Sequence, residues 1–126
     1  VLLIAAILEP SQLMDLFLAA SSLQLECLVE LYDEFEIDKL NLDQMNLIGI
    51  NNRDLKTFTV DITRTFTISR LLPDDITVVS ESGITSSDDL KKLKAQGINA
   101  ALVGELLMKS EHPGNALQQL LDGMRS

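Results

Sequence analysis

The sequence predicts an α/β fold of five βα units around a parallel sheet. Three observations carry this. Five short apolar runs recur along the 126 residues, amphipathic stretches of helical period fill the intervals, and helix start and stop residues fall between them. The runs are VLLIAAIL (1–8), CLVEL (27–31), NLIGI (46–50), ITVVS (76–80) and AALVG (100–104). Most are apolar on successive residues, the pattern of strands covered on both faces.

The elements follow in order. VLLIAAIL reads as the first strand. Pro10 behind it suits the first turn of a helix over SQLMDLFLAASSL, where its missing N–H would be unpaired in any case. CLVEL is the second strand and EFEIDKLNL the next helix, with Asp33, Glu34 and Glu36 as a solvated acidic start. NLIGI is followed by a helix over ITRTFTISRLL. After ITVVS, the group Ser86, Ser87, Asp88 and Asp89 suits the N-terminus of a helix over SDDLKKLKAQG, and Gly97 suits its end. AALVG is the last strand and GNALQQLLDGM the closing helix. No linker or composition shift interrupts the series, so residues 1–126 form one domain or part of one. Two architectures satisfy this parse. One is a doubly wound five-stranded sheet, complete at about this length. The other is five of the eight units of a (β/α)8 barrel, usually roughly 250 residues.

Composition narrows the function. With 46% hydrophobic residues and no low-complexity tract, the chain is globular. Its net charge of -9, from 10 basic and 19 acidic residues, opposes nucleic acid and anionic membranes as partners. One local pocket can still accept a small anion. The single Cys27 cannot pair internally and reads as a small buried hydrophobe in a reduced, cytoplasmic compartment. No signal or transit peptide is visible, and VLLIAAIL is too short to span a bilayer. An apolar strand as the very first residues points to missing material upstream.

Both architectures place functional groups at the carboxyl ends of strands. Those ends carry Glu30, Tyr32, Asp33 and Glu34; Asn51, Asn52, Arg53 and Asp54; Ser80, Glu81, Ser82 and Gly83; and Gly104 with Glu105. A phosphoacceptor receiver would need an Asp after the third strand and a Lys after the fifth, where Asn51 and Gly104 stand. Glu30, flanked by Val29 and Leu31, is a carboxylate at a buried strand end, where desolvation raises its pKa and suits acid/base work; a structural ion pair is the competing reading. Asn51 can orient a carbonyl or hydroxyl, and Arg53 can clamp a carboxylate or phosphate. The same residues also make good turn chemistry. Gly83 and Gly104 let backbone N–H groups approach an anion. The sequence has no Cys/His cluster with metal-ligand spacing. His112 sits in a turn, away from these ends.

LVELYDE, LIGINNRDLKTF, VVSESGI and ALVGELLM, in this order and spacing, resemble indole-3-glycerol-phosphate synthase of the tryptophan pathway over the full length of the chain. The resemblance implies a (β/α)8 TIM barrel of which these are the C-terminal units, strands four to eight. It assigns Glu30 to general acid/base work, Asn51 to substrate contact, and Glu81 and Ser82 to the active-site Glu-Ser pair. Arg53 lies beside Asn51, while Gly83, Gly104 and the Glu105 N–H correspond to the phosphate-binding loops. VLLIAAIL would line the pocket for the anthranilate ring. The implied reaction is a decarboxylating ring closure of 1-(2-carboxyphenylamino)-1-deoxyribulose 5-phosphate, a carboxy-lyase step on a small phosphorylated substrate with no cofactor and no metal. Other phosphate-binding barrels, such as phosphoribosylanthranilate isomerase or the tryptophan synthase α subunit, are disfavoured by NNRDL beside SESGI.

Three departures bear on activity. Tyr32 stands where the family usually has His, and Leu106 where a Ser or Ala is usual. The family's essential lysines, the general acid included, belong to its first and third strands. No lysine here replaces them: Lys56 lies beyond a strand end, and Lys39, Lys91, Lys92 and Lys94 fall on polar helix faces. The chain alone is therefore expected not to turn over substrate. A different expectation is a non-catalytic half-barrel that associates with a missing N-terminal half or with a copy of itself.

Overall fold

The computed structural model describes residues 1–125. Its strands are β1 (Leu2–Ile4), β2 (Leu28–Leu31), β3 (Leu47–Asn51), β4 (Thr77–Glu81) and β5 (Ala100–Leu102). All pair in parallel, in the order β1-β2-β3-β4-β5. That order decides the architecture. A doubly wound sheet reverses direction at a switch point, whereas barrel strands pair with the next in sequence. The chain carries five βα units of the (β/α)8 type.

The helices are α1 (Pro10–Ser22), α2 (Thr63–Ser69), α3 (Ser87–Ala95), α4 (Glu105–Met108) and α5 (Pro113–Arg125). They cover one face of the sheet. There Leu3, Val29, Leu31, Ile48, Ile50 and Val78 bury against Leu13 and Ala20 of α1 and Ile68 of α2. Full burial of such side chains contributes about 1.5–3 kcal/mol each. A second cluster joins Ile84, Leu90 and Leu93 to Leu120 of α5. Successive side chains alternate between faces, so the opposite face carries Leu2, Leu28, Glu30, Gly49, Asn51 and Glu81. This inner face is only partly covered: Leu2 and Leu102, on the outermost strands, are about half exposed at 49% and 51%.

The expected signals act where the sequence put them. Pro10 opens α1. Ser86 Oγ accepts from the Asp89 N–H at 3.3 Å, and the Asp89 carboxylate accepts from the Ser86 N–H at 3.1 Å, closing a capping box on α3. Gly97 ends that helix at φ +78°.

Three local expectations are corrected. VLLIAAIL is a strand only over Leu2–Ile4, then a 3₁₀ turn over Ala5–Ile7. Lys39 Nζ donates to the carbonyls of Ala5 and Leu8, at 2.8 and 3.1 Å, and holds the backbone out of the sheet there. EFEIDKLNL forms a 3₁₀ helix over Glu34–Lys39 rather than an α-helix. Ile37 and Leu40, three residues apart, both pack on the core, and a three-residue turn stacks such a pair. Finally, Glu105–Met108 forms the one-turn helix α4, which no stretch had been assigned. Cys27 is buried and unpaired, and no helix among the described residues is long and apolar enough to cross a membrane.

Candidate active site

The strand register brings three of the expected residues together. Glu30 lies opposite Gly49, and Asn51 opposite Glu81, so all four share the inner face near the carboxyl ends of β2, β3 and β4. Glu30, Asn51 and Glu81 are 6%, 8% and 4% exposed. Asn51 Nδ2 donates to Glu30 Oε1 at 3.2 Å, and Asn51 Oδ1 accepts from the Arg53 N–H at 3.0 Å. That fixes the amide with its donor toward the carboxylate. Glu81 Oε1 is buried with no hydrogen-bond partner among the described residues. Burial first, then the hydrogen bond and charge of Glu30, push the Glu81 carboxyl up to about 8. Near neutral pH it holds a proton that it can deliver to a bound molecule.

Asn52 points the other way, as strand alternation requires, and sits 1% exposed on the helix side. Its Nδ2 donates to Ser80 Oγ and to the Ser82 carbonyl, both at 3.0 Å. Its Oδ1 accepts from the Thr65 N–H at 3.2 Å and the Thr65 hydroxyl at 2.8 Å. Every polar atom of that amide side chain is engaged, as burial demands. The network holds Ser82 at φ +68° and precedes Gly83 at φ +80°, two left-handed residues that turn the chain sharply off β4. Only glycine suits the second position: beyond its φ, a Cβ there would overlap Val60 Cγ1.

That turn forms one wall of a cavity of about 620 Å³, lined by Arg53, Ser82, Gly83, Gly104, Glu105 and Lys109 among others. The predicted anion-binding residues therefore do gather, beside the carboxyl cluster. Ser82 lies on this wall. Gly104 has open space where a side chain would stand. Arg53 Nη2 donates to Glu105 Oε2 at 2.5 Å, and Lys109 Nζ donates to Glu105 Oε1 at 2.6 Å. Lys109 then Arg53 hold the Glu105 carboxyl below its usual range. Lys109 was not singled out in the sequence, because it lies one helical turn past the strand end it serves.

Tyr32, directly after β2, is engaged rather than idle. Arg64 Nη2 donates to its hydroxyl at 2.9 Å, Nη1 to its carbonyl at 3.1 Å, and the guanidinium carbon lies 4.0 Å from the ring centroid. The Tyr32 hydroxyl also reaches the Asp54 carboxylate. With the Lys56 and Thr57 N–H groups as the larger causes, Asp54 is held down at about 2. Tyr32 thus ties the loop after β2 to α2 and to the loop after β3. Leu106 packs on the Ile84 cluster while its edge lines the cavity. His112 lies exposed outside the cavity. Among the described residues no three His, Cys, Asp or Glu side chains gather as metal ligands would.

Residues 1–120 match the family model described as indole-3-glycerol phosphate synthase. Curated relatives bearing that name include one from Salinibacter ruber, 46% identical over 95% of this chain and 44% of its own length. Another, from Albidiferax ferrireducens, is 48% identical over 95% of this chain and 46% of its own. The chain thus spans less than half the length of these relatives. Among solved structures, "Native KDPGal structure" superposes with a TM-score of 0.68 at 14% identity, covering 98% of this chain and 58% of that one. "Crystal structure of KGPDC from Streptococcus mutans" gives 0.57 at 15%, covering 98% and 59%. These last two are likenesses of fold.

Proposed function

The chain belongs to the indole-3-glycerol phosphate synthase family, and from that premise we propose that it supplies strands four to eight of a barrel that closes the indole ring. The substrate in this reading is 1-(2-carboxyphenylamino)-1-deoxyribulose 5-phosphate, and the products are indole-3-glycerol phosphate, CO2 and water. The observation that carries it is the adjacency of a buried, interacting carboxyl pair to a glycine-walled cavity that holds two cations.

The division of labour follows from that adjacency. The phosphate occupies the cavity, where the Gly83, Gly104 and Glu105 N–H groups, Arg53 and Lys109 face it. Arg53 and Lys109 exchange part of their pairing with Glu105 for the incoming dianion. The ribulose carbon chain then runs toward Asn51, whose amide orients its oxygens. After the aryl carbon attacks the activated ketone, the reaction needs protons moved as CO2 and water leave. Protonated Glu81 donates and Glu30 serves as its partner in that exchange. The essential lysines that the family resemblance implies, the general acid among them, have no counterpart here, so in this reading they come from other strands of the complete barrel. The reading carries a cytoplasmic setting, where Cys27 stays reduced, and pairing of this half with the N-terminal half.

The test is turnover by the complete protein as its cells make it, followed by the appearance of the indole chromophore. The complete protein is expected to turn over, with Glu81→Gln lowering kcat by about 10²–10⁴, while the 126 residues alone give none. No turnover by the complete protein overturns the reading. A second reading, a non-catalytic half-barrel that self-associates, draws on the half-exposed Leu2 and Leu102 at the two sheet edges. Sedimentation of the 126-residue chain tests it, and a monomer at all concentrations excludes it.

A further inference from the structure

Gly49 stands in the middle of β3, between Ile48 and Ile50, which are both fully buried. A glycine there weakens a strand and needs a reason. Its backbone supplies none, because the positive-φ glycines are Gly83 and Gly97. The reason lies across the sheet. Glu30 is on β2 and Glu81 on β4, so β3 runs between them and their backbones are separated by two strand spacings, about 9–10 Å. The Glu81 side chain nevertheless interacts with Glu30. It does so by lying over Gly49. A Cβ at that position would overlap Glu81 Oε1 and stand 2.9 Å from its Cδ, with Leu28 Cδ1 at 3.3 Å.

We propose that Gly49 is a positioning residue: its missing side chain opens the channel over β3 through which the Glu81 carboxyl reaches the Glu30–Asn51 pair. Any larger residue fills that channel and turns Glu81 back from its partner, while the strand itself persists, because the atom displaced is the end of a flexible side chain. The raised Glu81 carboxyl agrees with this placement, since its causes are burial and Glu30. The titratable group facing it is Glu30 from β2. Beside it β3 presents Gly49 and Asn51, and β5 presents Leu102, none of which is charged. The inference rests on the proposed function only in counting Glu81 among the reacting groups; the geometry and its test require no turnover.

Two measurements on the complete protein decide it. The first is the Glu81 carboxyl titration by carbon-13 NMR in the natural sequence and in Gly49→Ala. The midpoint should fall by more than one pH unit toward the ordinary carboxyl range in the variant. An unchanged midpoint in a folded variant overturns the proposal. The second is the shift in urea midpoint caused by Gly49→Ala, measured with Glu81 present and in a Glu81→Ser background. At least half the loss should vanish when the glutamate is gone, because the overlapping atoms have gone with it. If more than half of that loss persists in the Glu81→Ser background, the proposal is overturned. If Gly49→Ala alone fails to fold, the double variant Gly49→Ala/Glu81→Ser should fold, and its failure would be equally decisive against it. A complete protein with no synthase activity would sink the functional reading and leave both results standing.

Discussion

At the scale of single residues, Glu81 sets the pH behaviour. It titrates at about 8 in the folded chain and near 4.5 when unperturbed. Between those values the unfolded state binds fewer protons, so stability falls as pH rises. The slope is at most about 1.4 kcal/mol per pH unit and levels off above pH 8. The stabilisation is complete below pH 4.5. Urea unfolding across that window should show the decline, and Glu81→Gln should flatten it. A slope equal in both proteins would assign it to another group. Glu30, Asn51 and Glu81 were legible in the sequence because each ends or nearly ends an apolar run. What the sequence could not show was that two of them meet across a third strand. Which residues share a row depends on register, and register is a property of pairing rather than of spacing. Gly49 carried the one available signal, a glycine inside an otherwise apolar strand.

Among elements, the polar network on the helix side joins β3, β4 and α2 through one amide. Asn52→Ala removes four hydrogen bonds at once and leaves the buried Thr65 and Ser80 hydroxyls only their bond to each other, at a cost of about 3 kcal/mol or more. Thr65→Val removes two bonds, to Asn52 Oδ1 and Ser80 Oγ, and should cost about 1–2 kcal/mol. Chemical denaturation of the two variants checks the ranking, and equal losses would show that Asn52 is not the hub. At the end of α3, Gly97→Ala should cost about 1–2 kcal/mol by backbone conformation alone, since nothing lies within 4 Å of the added methyl. The helix punctuation at Pro10, Ser86 and Gly97 was readable because local hydrogen bonds set it. The 3₁₀ segment over Glu34–Lys39 was not. Its apolar residues fit a helical wheel nearly as well as a three-residue turn, and the choice is made by Ile37 and Leu40 packing together on the core.

For the molecule as a whole, the periodicity of the sequence left a doubly wound sheet and a barrel in balance, because both alternate β and α at the same spacing, and only the family resemblance pointed to the barrel. Strand order separates them, and order is set by which edges meet. If the proposed function holds, the intact protein from its native cells has a mass near twice 13.9 kDa, as a barrel of roughly 250 residues would. A native product of 13.9 kDa would instead favour the self-associating half-barrel. The neighbour-by-neighbour order also shapes how the sheet comes apart. β3 has a partner on each side and fully buried Ile48 and Ile50, whereas β1 and β5 are each bonded along one side only. In the 126-residue chain by itself, transient openings should therefore begin at the two rims and seldom reach the middle. Amide hydrogens of β3 should exchange with deuterium slowest, with rates climbing stepwise through β2 and β4 to the outer strands.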